Sequence, residues 1–218
     1  MKSLVLKDLY NIGHNGRTML LMLIVLAVFF IPFSNTETYI ITSGILCSMM
    51  VMTTFSFDDQ SKWLKYALVM PITRKDIVIS KFIVLLVFSM IGACSGLVIG
   101  LLGGVVTQKI EIGDYIRIIS LTCVSFVSFL IAVVIGSMSI PLLFKFGTEK
   151  ARILSLVCTI IPTVICYGTY QILILLGVQM TDKLIFILLC GSPIIVLLWC
   201  FIMYKISYMI LLKTEPVN

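Results

Sequence analysis

Long apolar runs broken by short polar stretches dominate this chain of 218 residues, and their lengths predict its elements. About 20 consecutive apolar residues cross the hydrocarbon core as a helix. Six runs reach that scale, approximately over 18–33, 38–56, 82–106, 116–142, 153–176 and 184–204. The first closes at Pro32 and only SNTET separates it from the second, so these two are expected to form a tight helical hairpin. The pattern predicts an all-α, polytopic membrane protein with six transmembrane helices in a single domain over 1–218. A secretory signal peptide is the competing reading of the first run. The preceding MKSLVLKDLYNIGHNGR is long for a leader's basic segment and contains Asp8, and no AxA-like cleavage site follows the run. A retained helix is therefore expected.

Two polar pieces stand out between the runs. Over 1–16, Leu4, Val5, Leu9 and Ile12 fall on one helical face, with Lys7, Asp8 and Asn11 away from it. That is the pattern of an amphipathic helix lying in the membrane interface, and NIGHNG then breaks it. The second piece, the connection over 57–81, contains FDDQSKWLKYALVMPITRKD. Read as a helix, SKWLKYALVM puts Lys62 and Lys65 on a polar side and makes Trp63 and Tyr66 neighbours, with Leu64, Ala67 and Leu68 adjoining. Pro71 ends this helix. Thr73 then caps a new helix that continues into the third span, with Asp76 completing a capping box.

Composition supports the membrane as solvent. Hydrophobic residues make up 60% of the chain and charged residues 12%, against about 25% charged in a typical soluble domain. The charge is ordered by topology. Thirteen Lys and Arg fall on one side of the six spans, and three (Lys109, Arg117 and Lys183) on the other. The positive-inside rule then places both termini and the 57–81 connection in the cytoplasm. The net charge of +6 flanks apolar spans and forms no single patch, which argues against a nucleic-acid partner.

Several kinds of chemistry find no residues to carry them. The seven cysteines are scattered singly within apolar runs and His14 is the lone histidine, so neither a disulfide framework nor a metal centre is indicated. No acid lies in the middle of a span, which counts against an ion-coupled secondary carrier. No HExxH, no intramembrane Ser with a His or Lys base, and no GxxxxGK[ST] is present, so no catalytic, cofactor-binding or metal-binding residues are expected on this chain.

Within the spans, Gly92, Gly96, Gly100 and Gly104 line one face of the third helix, and Ser128, Ala132 and Gly136 a weaker stripe on the fourth. Such faces let another helix approach closely, either within the subunit or across a subunit interface. Pro141, Pro162 and Pro193 are candidate kinks. The aromatic pair Trp63 and Tyr66 suits either anchorage at the headgroup level or docking of a soluble partner.

The run SKWLKYALVMPITRKDIVISKF resembles the signature segment of small bacterial permeases, the ABC-2-type transporter membrane subunits, including those of phenol-soluble-modulin exporters. The matching positions are Trp63, Tyr66, Ala67, Pro71, Thr73, Arg74, Lys75, Ile77, Val78, Ser80 and Lys81, and LVLKDLYNI resembles the family's opening. Leu64 departs from the pattern, which has an acid after the Trp. The resemblance implies six spans, a second permease (identical or a sister chain) and a separate cytoplasmic ABC ATPase carrying ATP and magnesium. It also implies that this ATPase engages the connection as a coupling helix; Lys62, Trp63, Lys65, Tyr66, Pro71, Arg74 and Lys75 are the candidate coupling residues of that segment. Export of amphipathic peptides or other hydrophobic compounds is the implied activity. The alternatives are a non-transporting immunity or assembly factor, and a secondary carrier.

Overall fold

The computed structural model describes residues 2–14, 16–63, 66–67, 73–108, 114–175 and 182–213, and among these every regular element is an α-helix. In chain order they are α1 (Lys2–His14), α2 (Gly16–Phe33), α3 (Thr36–Gln60), α4 (Arg74–Val106), α5 (Tyr115–Leu175) and α6 (Asp182–Lys213). Among the described residues, five stretches are long and apolar enough to cross a membrane: Gly16–Phe33, Thr36–Gln60, Arg74–Val106, Tyr115–Ala151 and Leu189–Lys213. The span expected over 153–176 continues as helix to Leu175, but many of its side chains lie outside the described residues.

The helices overrun the apolar runs that predict them. α3 carries on through the polar end of its sequence to Gln60, and α4 starts at Arg74, so the connection between them shrinks from 57–81 to 61–73. Backbone hydrogen bonding continues wherever nothing interrupts it, whatever the hydropathy of the residues. The gap between the apolar runs 116–142 and 153–176 also contracts. α5 is two helices meeting at Gly147, whose φ of 72° and ψ of 175° are the non-helical angles within it. Side chains rarely occupy that left-handed region, so the joint depends on glycine. Pro141 lies buried within the first of these helices, and the break falls beyond it.

The hairpin of α2 and α3 forms as expected. The Ser34 amide bonds the Phe30 carbonyl at 2.8 Å, and extended Asn35 opens α3. α2 buries Met19, Leu23, Ala27 and Ile31, one residue per turn, against α3 and α4. Its opposite face, including Leu21, Val28 and Phe29, is exposed as a lipid-facing surface would be.

α3 is the central helix, packed along both α4 and α5. The small residues expected to form a packing stripe make this possible. Gly92 faces Cys47 and Gly44 of α3, and a Cβ there would sit 2.5 Å from Cys47 Cβ. Gly96 meets Ser43, and Gly100 meets Ile40. Gly104 is buried on the same face. Gly92, Gly96 and Gly100 therefore serve close packing of α4 on α3 within the subunit. Ser128 of the second stripe packs on Gly44, while Gly136 receives Leu85 of α4. Hydroxyls tie these close approaches to backbone carbonyls. Ser43 bonds Gly92 O at 3.3 Å, Ser125 bonds Ala93 O at 3.0 Å, and Ser128 bonds Ile40 O at 2.9 Å. Contacts of this kind hold helices together where lipid supplies no hydrophobic drive.

Candidate functional site

One end of the bundle gathers α1, Trp63 and Ala67 of the connection, the start of α4, the Gly147 joint and the end of α6. The opposite end holds the Asn35 turn and an ion pair between Arg117 and Glu37 at 3.2 Å. The first end carries the polar residues singled out by the sequence, and a second set it did not.

The connection begins with a sharp turn. Lys62 takes a φ of 50°, and its amide bonds the Asp59 carbonyl at 3.1 Å. Trp63, Tyr66 and Ala67 are helical. Lys65, Pro71 and their neighbours over 64–65 and 68–72 lie outside the described residues. Ala67 is fully buried with Ile77, Val78 and Leu211, and Trp63 packs half-buried against that cluster. Tyr66, by contrast, is 63% exposed. Ala67 and Trp63 thus rest on α4 and α6, while Tyr66 and Lys62 are exposed.

Thr73 caps α4 as its sequence predicts. Its hydroxyl accepts the Asp76 amide at 3.3 Å, and the Asp76 carboxylate accepts the Thr73 amide at 3.4 Å. Arg74 turns inward: its guanidinium donates to the Leu211 and Leu212 carbonyls at 3.0 and 2.9 Å. A cation there satisfies the free carbonyls and the negative dipole end of α6. Lys75 remains exposed, its ammonium 5.8 Å from the centre of the Tyr208 ring. Pro193 lines an apolar cavity of about 630 Å³ between α4, α5 and α6, together with Phe82, Phe129, Cys200 and Tyr204. Pro162 is helical, but its side chain lies outside the described residues.

Behind the connection lies a cluster of four charges. Lys81, only 4% exposed, reaches Asp8 Oδ2 at 2.8 Å and Asp58 Oδ2 at 2.6 Å. It donates a third hydrogen bond to Thr54 Oγ1 at 3.3 Å, so all three ammonium protons have acceptors. Lys7 pairs with the other Asp58 oxygen at 2.5 Å and lies 3.5 Å from Asp8 Oδ1. Two cations and two anions leave the cluster neutral. Aromatic faces shield it: Lys7 stands 4.2 Å from the centre of the Trp63 ring, and Lys81 4.8 Å from that of Phe55. Asp8 Oδ1 has no hydrogen bond. It borders a cavity of about 120 Å³, large enough for water to supply one. Asp59, next along, accepts the Thr148 amide at 3.2 Å and so ties α3 to the Gly147 joint.

This cluster corrects the expected placement of Asp8. The helical pattern sets Asp8 on the polar side of α1, yet it is 1% exposed. Asp8 lies one turn after buried Leu4 and shares its face. The face is apolar except where Lys81 answers it. The available signal is Lys81 itself, a lysine directly ahead of FIVLLVF with no acid three or four residues away to pair with along the helix.

A family model described as an ABC-2 family transporter protein matches residues 3–211. The chain belongs to the ABC-2 transporter family. Comparison with curated proteins and with solved structures gave no match. For an ABC-2 permease, family membership implies association with an ABC ATPase subunit, and the apolar helices make it a multi-pass membrane protein.

Proposed function

We propose that this ABC-2 permease is the membrane subunit of an ATP-driven exporter, with α1 and the 61–73 connection in the cytoplasm. ATP and magnesium are bound by a separate ATPase, which docks on the connection and drives its movement. The basic residues support this orientation: Lys7, Lys62, Lys75, Lys81, Lys145, Lys150 and Lys213 all belong to the α1 end of the bundle. The observation that carries the docking role is the two-sided connection itself. Ala67 and Trp63 seat it on α4 and α6, while Tyr66 stands free beside them. A partner gripping Tyr66 and Lys62 therefore pulls on the first turns of α4. A second permease chain would complete the pathway, and amphipathic peptides or other hydrophobic compounds suit spans without a charged selectivity site.

The test is co-expression with an ABC ATPase and affinity purification in lipid. The wild-type chain is expected to retain the ATPase, and a Lys62→Glu/Tyr66→Ala variant of equal expression to lose most of it. Equal retention by both chains would contradict docking at this segment.

A further inference from the structure

We propose that the Lys7–Asp8–Asp58–Lys81 cluster is a joint that makes α1, the foot of α3, the Trp63 segment and the start of α4 move as one body. This rests on the reading of the chain as an ABC permease. The four charges come from three helices, and Lys81 touches both acids from within the packed interior. Lys7 extends the same network to the Trp63 ring and thereby to the docking segment. A displacement of Trp63 that left Lys81 in place would strip Lys7 of its aromatic cover. Separating α1 from α4 would leave Asp8 and Lys81 buried without each other. Breaking a buried ion pair is strongly unfavourable, so the lower-cost motion carries all the elements together. Asp59, through the Thr148 amide, brings the Gly147 joint under the same control. Lys81 and Asp8 are positioning residues in this scheme: they meet no nucleotide and no cargo.

The experiment uses the full chain assembled with its ABC ATPase in lipid nanodiscs, and compares wild type, Asp8→Asn/Lys81→Met and Lys81→Arg. The neutral pair keeps Lys7 balanced by Asp58, so the complex is expected to form with normal ATPase content. Its permease-stimulated ATP turnover should fall by about fivefold or more. Lys81→Arg keeps a cation with donors for both carboxylates and should hold turnover within about twofold of wild type. Wild-type turnover in the neutral pair would overturn the joint and leave the permease reading standing. Failure of the wild-type chain to bind any ABC ATPase would overturn both. A spin-label distance between Tyr10 and Lys75 provides a readout independent of the variants. It should stay constant between nucleotide-free and ATP-bound complexes, and a change in it would overturn the proposal even if the neutral pair did not fold.

Discussion

Lys81 is the residue on which most of the polar end depends. Its three donors hold two acids and a threonine, and it has almost no contact with solvent. Replacing it by Met alone leaves Asp8 and Asp58 to share Lys7. That substitution should cost about 3–5 kcal/mol, read as a large fall in the thermal midpoint of the purified protein in detergent. Asp8→Asn/Lys81→Met should recover much of that loss, because it removes one charge of each sign; no recovery would show that the charges do not compensate one another. Gly147 makes a simpler case. With φ at 72° and open space around its Cβ position, its substitution is a matter of backbone strain alone. Gly147→Ala should cost about 1–3 kcal/mol, whereas Gly168→Ala, also in open space but at an ordinary helical position, should be neutral or mildly stabilising in the same melt.

At the scale of the element, the sequence reveals α4 more fully than α1. The Thr73–Asp76 spacing announces the capping box, and the structure contains both of its hydrogen bonds. Thr73→Ala should therefore lower stability by about 1 kcal/mol, visible as faster hydrogen exchange confined to the first turn of α4. The glycines of α4 were legible as a packing face, but not the identity of the helix that fills it. Periodicity reports which residues share a side of a helix, while the partner is settled by three-dimensional packing. With α3 in place, Gly92→Leu must push Cys47 and the Gly44 backbone aside. It should destabilise the bundle by about 1–3 kcal/mol or more, whereas Gly191→Ala, with nothing within 4 Å, should not. α1 was harder to read. Amphipathicity placed Leu4, Val5 and Leu9 correctly, while the side chain of Ile12 lies outside the described residues; but a hydropathy pattern counts every carboxylate as an outside group, and Asp8 is inside because its partner Lys81 is remote in sequence.

The whole molecule brings these elements to one end. α3 and α4 are locked along their length by glycines and hydroxyls, so force applied to the foot of α4 acts on a packed unit, not on one flexible helix. The 61–73 connection is fastened to that foot by Ala67 and Trp63, and the four-charge cluster joins it to α1. The hydropathy runs and charge asymmetry made the membrane class and the importance of the connection legible from sequence. The cluster behind it was not, because its members lie at positions 7, 8, 58 and 81 and only the fold unites them. The proposed mechanism has an ATPase move this permease through the connection. The measurement that tests it most directly is ATP turnover by the assembled complex in lipid nanodiscs, comparing wild type with Trp63→Ala/Tyr66→Ala. The variant is expected to stay folded in the membrane but to lose most of the permease-stimulated turnover, together with affinity for the ATPase. Wild-type turnover and affinity in the variant would contradict it.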